Sequence, residues 1–362
     1  MAASTNRILI ETFVRKALRD IQSAPERSIR NLVDMGLNFS KGRFQTRLFQ
    51  SVQHMLEDEH SAYYPLVRNI VTNVEHDRLL HFGMNVGYNS CTLGARKIRE
   101  IEAEEGFNIP WTLYLEIDKA TFTQHQTDYD DLICQGKELG IYTWFISAGD
   151  LCTELFDLLV KHDDCAFALL CSTQSLTAEM LEELAGLPHT LVSIELDEQA
   201  DVLCSELRKR KLLYAVHKTY TSSDVPEILN DDLLYDTQSL QAPITALIPD
   251  KDCTEAERKQ VFDYIQRKRE GQDFATVLWD VVQDVLGIDT IISEDCCSAG
   301  FKADGTFFVL ADQRDTSEWN LFRHELKTIF KAVSKNKKAR RILCPARFAY
   351  ISYHTFSECT WL

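Results

Sequence analysis

The chain has 362 residues, 45% hydrophobic and 26% charged, with 14 glycines and 8 prolines. That composition excludes disordered and collagen-like classes, and the length exceeds what one hydrophobic core usually organises. No apolar run approaches the roughly 18 residues that span a bilayer, and Met1 to Arg7 lack the apolar core of a secretory signal, so a soluble, cytoplasmic protein is expected. The net charge of −16 is unevenly spread, −24 over residues 81–312 against +7 over residues 313–350, which disfavours nucleic acid and membranes as partners.

In chain order, the first 110 residues read as helices. Ser23 to Glu26 has capping-box spacing, with Ile29, Leu32 and Val33 at helical intervals after it. Further helices are expected over 41–56, 65–74 and 91–105, the last ending at Gly106. From Trp111 short apolar runs alternate with amphipathic segments. Strands are expected over 111–117, 141–147, 165–171, 190–196, 212–217 and 244–248, with helices over 129–139, 151–161, 178–185, 200–209 and 254–269. This alternation argues for a parallel sheet built from βα units. Periodicity alone does not choose between a partial barrel and an open doubly wound sheet. A helix is expected over 274–286, a hairpin at Asp304-Gly305, and a basic helix over 319–334. The eleven cysteines are odd in number and irregular in spacing, with no CxxC pair, which reads as reduced, buried thiols.

The stretches Gly106-Phe-Asn-Ile-Pro-Trp111, Gln135-Gly-Lys-Glu-Leu-Gly-Ile141 and Lys161-His-Asp-Asp-Cys-Ala-Phe167 resemble bacterial radical S-adenosylmethionine (radical SAM) proteins with a helical N-terminal extension. Cys297-Ser-Ala-Gly300, Asp304-Gly305 and Cys344-Pro345 resemble their C-terminal cysteine-bearing, SPASM-like region. The resemblance implies a partial TIM-like parallel barrel of the α/β class, with a helical collar at 1–110, the barrel at 111–290 and a small α/β appendage at 291–362.

It also exposes losses. Active members carry three cysteines, spaced CxxxCxxC, after the first strand, to hold a [4Fe–4S] cluster. The corresponding segment here, Glu116 to Asp128, contains no cysteine, and its oxygen and nitrogen groups do not reproduce a soft three-thiolate site. The family's glycine-rich SAM turn corresponds to Ser147-Ala148-Gly149-Asp150, where Ala148 is expected to narrow the backbone approach. An Asn-Gly after the third strand is replaced by Ser172-Thr-Gln174.

Cys296, Cys297 and Cys344 are the candidate metal-binding residues of the appendage, with reduced structural thiols as the plainer reading. Cys91 reads as an activated thiol if it begins a helix, and otherwise as structural. Gly83 and Gly87 match no phosphate-loop spacing and are expected where backbones pack closely. His76, His81, His125, His162 and His217 form no metal-binding pattern. Asp118, Asp128 and Asp150 fall near strand ends, where an acidic mouth would take a cation or an amine. Lys335 to Arg341 is a basic run suited to an acidic partner or to the acidic middle of the chain.

These features lead to a catalytically degenerate radical SAM-fold protein, a pseudoenzyme acting as a protein- or peptide-binding or regulatory module, with no catalytic residues and no cofactor expected. The alternatives are an enzyme of another class using the barrel mouth, with a metal on Asp, His or Cys groups, and an iron–sulfur or zinc site at the C-terminal cysteines.

Overall fold

The computed structural model describes residues 2–21, 25–39, 43–311 and 314–338. Five helices open the chain: α1 (Ala2–Ile21), α2 (Pro25–Phe39), α3 (Arg43–Met55), α4 (Tyr63–Asn73) and α5 (His76–Met84). A wide π-helical stretch, Asn85–Gly94, leads into α6 (Ala95–Glu105), which ends on Gly106 in the left-handed conformation at φ 74°.

The alternating part follows as β1 (Thr112–Ile117), α7 (Lys119–Gln124), α8 (Gln126–Leu139), β2 (Thr143–Ala148), α9 (Thr153–Lys161), β3 (Ala166–Cys171), α10 (Ala178–Ala185), β4 (Thr190–Glu195), α11 (Ala200–Lys209), β5 (Tyr214–Tyr220), α12 (Val225–Leu229), α13 (Asp232–Thr237), β6 (Ile244–Pro249), α14 (Glu255–Gly271), β7 (Val277–Asp280) and α15 (Gln283–Ile292). The chain then adds β8 (Ala299–Phe301), β9 (Thr306–Val309), β10 (Arg314–Asn320) and α16 (Leu326–Lys338). The six expected strands are all present. Expectation and structure part at two places. The 274–286 run divides into β7 and α15 because Asp280 Oδ1 accepts from the amides of Val282 and Gln283 and so starts a new helix. Residues 319 and 320 belong to β10, which pairs antiparallel with β9, and Asn320 Oδ1 then accepts from the Phe322 amide at 3.0 Å in a turn.

The sheet order is β10-β9-β8-β1-β2-β3-β4-β5-β6-β7, with β1 to β7 parallel in sequence order and β8 parallel to β1. Consecutive neighbours of this kind make a singly wound, barrel-like sheet rather than a doubly wound one. The curl is visible in one contact: Tyr114 on β1 donates its hydroxyl to the carbonyl of Val281, just past β7, at 2.6 Å. In a flat sheet those strands would stand about 29 Å apart, beyond any side chain. The result is an α/β partial barrel with a helical N-terminal part and a small C-terminal α/β appendage.

Alternation along the strands sorts the side chains. Leu113, Leu115 and Ile117, Trp144 and Ile146, Phe167 and Leu169, and Val192 and Ile194 enter the main core with the apolar faces of α8 to α11. The opposite, inner face at the strand starts is filled by the collar: Ala168, Leu191, Leu213 and Ala215 pack with Val74, Ile70, Leu79 and Phe82. Polar hooks hold the collar there. The Arg78 guanidinium donates to the carbonyls of Leu187 and Ala185 at the end of α10, and Asn85 and Asn89 donate to Asp163, Cys165 and Asp164 below β3. The close backbone approach expected at Gly83 and Gly87 is not there, since a Cβ at either would meet open space. It occurs between Gly94 and Gly140, where a Cβ on Gly140 would lie 2.7 Å from the Gly94 carbonyl oxygen.

Asp289, on α15, joins three parts of the fold. Its carboxylate accepts from the amides of Trp111 at 3.2 Å and Cys297 at 3.0 Å, and from both the amide and the hydroxyl of Ser298. Replacing it by alanine would leave those buried amides unpartnered, so Asp289→Ala is expected to cost about 3 kcal/mol in urea unfolding, against about 1 kcal/mol for Asp118→Ala at the exposed cap of α7. Equal costs for the two variants would contradict this role.

Candidate functional site

The C-terminal ends of β1 to β7 surround the open half of the inner face, the usual ligand side of such sheets. Beneath the rim, Tyr114 stacks on Phe145 with ring centroids 4.8 Å apart, and half-buried Leu170, Ile248, Trp279 and Phe308 share the same face by register. Gly300 on β8 permits this packing, because a Cβ there would lie 2.7 Å from the Phe308 ring and 2.5 Å from the Tyr114 carbonyl oxygen. Deeper in the face, Ser193 Oγ lies 3.1 Å from His217 Nδ1. Burial holds the His217 imidazole down to about 4, so it is neutral at physiological pH. Glu116, Ser147, Glu195 and Thr219 are exposed nearer the strand ends. The arrangement is an apolar, aromatic floor beneath a partly acidic rim.

The segment after β1 is folded tightly. Asp118 Oδ1 accepts from the Ala120 amide at 2.9 Å and caps α7, while Phe122 is fully buried in the main core, 5.1 Å from the Tyr129 ring. His125 Nδ1 pairs with Asp128 at 2.7 Å and stacks on Phe322. Asp118 and Asp128 therefore have local partners, and Asp150 stands exposed after β2.

Of the expected SAM turn, Ser147, Gly149 and Asp150 are exposed, but Ala148 is 2% exposed and sits in the main core beside the outer helices. Its methyl points away from the mouth, so the expected narrowing does not arise. A Cβ on Gly149 would also meet nothing within 4 Å. In the loop after β3, Thr173 Oγ1 donates to Asp197 Oδ2 at 2.5 Å, tying adjacent strand ends.

The three expected metal cysteines are not offered as a set. Cys296 is disulfide-bonded, a departure from uniformly reduced thiols, and a disulfide sulfur is not a thiolate donor. Cys297 lines a small void with Asn108, Phe307, Val309, Phe330 and Ser334. Cys344 and residues 339–341 of the Lys335 to Arg341 run lie outside the described residues, while Lys335 to Lys338 form the last turn of α16. Cys91 lies inside the π-helical stretch rather than at a helix start, and burial pushes its thiol up to about 12, the reverse of activation. At the strand ends, Cys152 and Cys171 belong to the main core.

Sequence reasoning passed over the floor residues Tyr114, Phe145, Trp279 and Phe308. Their signal was the alternate position within each strand, the same period that places Glu116 between buried Leu115 and Ile117. It also passed over Asp280. This carboxylate ends β7 fully buried, and burial pushes it up to about 7 although Oδ1 accepts two amides. Its Oδ2 has no partner among the described residues. A separate cavity of about 390 Å³ lies between α4 and the segments leading into β6 and β7, lined by Arg68, Asn69, Gln241 and Phe274 among others.

No family model and no curated protein sequence matches the chain. Three solved structures of SuiB from Streptococcus suis are similar to it. SuiB bound to precursor peptide SuiA has 12% identity and a TM-score of 0.49, over 66% of this chain and 68% of that one. SuiB itself has 10% identity and a TM-score of 0.48, over 65% and 68%. SuiB bound to S-adenosylmethionine has 11% identity and a TM-score of 0.48, over 66% and 67%. At TM-scores below 0.5 these likenesses carry no argument about the site, whose chemistry follows from this chain's own residues.

Asp280 gives the site a pH signature. A carboxyl raised from 3.8 to about 7 on folding contributes stability that is present at low pH and lost as pH rises through about 7. Asp280→Asn, which keeps an oxygen for the two amides, is expected to unfold at higher urea than the parent at pH 8. The difference should shrink towards pH 4, and a constant offset across that range would count against burial as the cause.

Proposed function

We propose that this chain is a radical SAM-like barrel protein without cluster chemistry, acting as a binding module that takes a peptide or protein segment at its open mouth. The observation that carries the reading is the end of β1. The family's cluster needs three thiolates there, whereas Glu116 to Asp128 has none and forms the capped helix α7 with Phe122 sealed into the core. The residues present do not fit the cluster, and without its iron the methionyl group of SAM loses its main anchor. The floor of Tyr114, Phe145 and Trp279 beneath Glu116 and Glu195 suits an apolar side chain next to a cationic one, by burial of apolar area and charge complementarity.

Two measurements test this. After anaerobic reconstitution with iron and sulfide, the protein is expected to hold no four-iron cluster. Its SAM dissociation constant by calorimetry is expected to be no tighter than about millimolar, about −4 kcal/mol. Near-stoichiometric four-iron loading with reductive SAM cleavage would overturn the reading. For the mouth, Glu195→Lys is expected to weaken short apolar, lysine-containing peptides at least about tenfold, or 1.4 kcal/mol, at unchanged melting temperature; equal binding by parent and variant would remove the mouth as the site.

A further inference from the structure

A second cluster of donors lies on the outer surface of the barrel, apart from the mouth. Asp130 and Cys134 are one turn apart on α8, which places them on the same helical face. His162 follows the last residue of the neighbouring helix α9. One ligand atom from each of the three lies within 4.8 Å of the others. His162 Nε2 is 2.8 Å from Asp130 Oδ1, and its side chain is 3% exposed, while Cys134 is exposed and free. The cluster thus combines a buried, fixed imidazole with a thiol that solvent reaches.

We propose that Asp130, Cys134 and His162 form a zinc-binding site, with water completing a four-coordinate shell. The donor types select the metal: a thiolate and an imidazole favour zinc over magnesium or calcium, and one carboxylate oxygen is a common third ligand. The spacing needs little change. Donors around a tetrahedral zinc with bonds of about 2.0–2.3 Å stand about 3.3–3.7 Å apart, a closure of about 1 Å that side-chain torsions of Cys134 and Asp130 supply. The Asp130–His162 contact opens as the ion enters between them. Lys161 Nζ holds Asp130 Oδ2 at 3.2 Å, which orients the carboxylate and leaves Oδ1 for the metal, the outer-shell support that metal ligands ordinarily have. The thiol loses its proton to the solvent on binding, so affinity rises with pH.

Cobalt is the probe, because its thiolate complexes are coloured and zinc is silent. The full chain, stripped with a chelator and titrated with Co²⁺, is expected to bind one equivalent with a sulfur-to-cobalt charge-transfer band in the near ultraviolet and the intense visible bands of a tetrahedral ion, all lost on adding zinc. Cys134→Ser, at an exposed position, is expected to abolish the charge-transfer band and raise the zinc dissociation constant at least about a hundredfold without changing the circular dichroism spectrum. Asp130→Asn is expected to weaken binding while keeping the band, and Cys297→Ser to leave both unchanged. Absence of the band at saturating cobalt, or a band that survives Cys134→Ser or vanishes in Cys297→Ser, would overturn the site and leave Asp130, His162 and Lys161 as a hydrogen-bonded cluster beside the Cys134 thiol.

Discussion

The carboxylate of Asp289 is the constraint on which the shape of this protein turns. A charged group without water is costly unless donors surround it, and this one has four: the amides of Trp111, Cys297 and Ser298 and the Ser298 hydroxyl. Those donors lie just before β1 and just before β8. Their shared acceptor therefore sets the two strands side by side, and β8 occupies the edge of β1 that a closed barrel would give to its last strand. The barrel stays open along that seam. Tyr114 reaches across it to Val281, and Phe308, carried in by the β8–β9 hairpin over Gly300, extends the aromatic floor beyond the seven-stranded arc.

The collar makes the second decision. Its helices α4 and α5 bury the lower inner face of the sheet, so the concave surface is left accessible only towards the strand ends. Apolar contact alone would let such helices slide. The Arg78, Asn85 and Asn89 hooks bind specific carbonyls below β3 and β4 and give the collar one registered position. The mouth is thus a floor on strands rimmed by loops, and the segment after β1 is itself a capped helix.

Strand positions were legible because apolar runs flanked by turn residues, separated by amphipathic helices, encode a parallel sheet with both faces covered. The misreadings share one physical cause. The run from Phe274 to Leu286 is apolar at both periods, and only the capping by Asp280 divides it into strand and helix. Residues 319 and 320 end β10, where Asn320 pairs with Thr306 of β9, a partner that local sequence does not specify. Gly83 and Gly87 stood out by composition, yet the close backbone contact fell at Gly94 and Gly140, which come together only when α6 meets the end of α8.

The amino-acid sequence by itself determined the α/β class, the positions of the first six strands along the chain and the lack of thiols after the first strand, since these depend on local periodicity and on residue identity. Tertiary structure alone decided which way each side chain faces the finished sheet. It turned Ala148 into the core, raised Tyr114, Phe145 and Trp279 into one floor, isolated Asp280 Oδ2 from any described partner, and brought His162 to Asp130 and Cys134 across 28 or more residues of chain. Those outcomes rest on register, curvature and helix docking, which arise between segments distant in sequence and have no local signature to read.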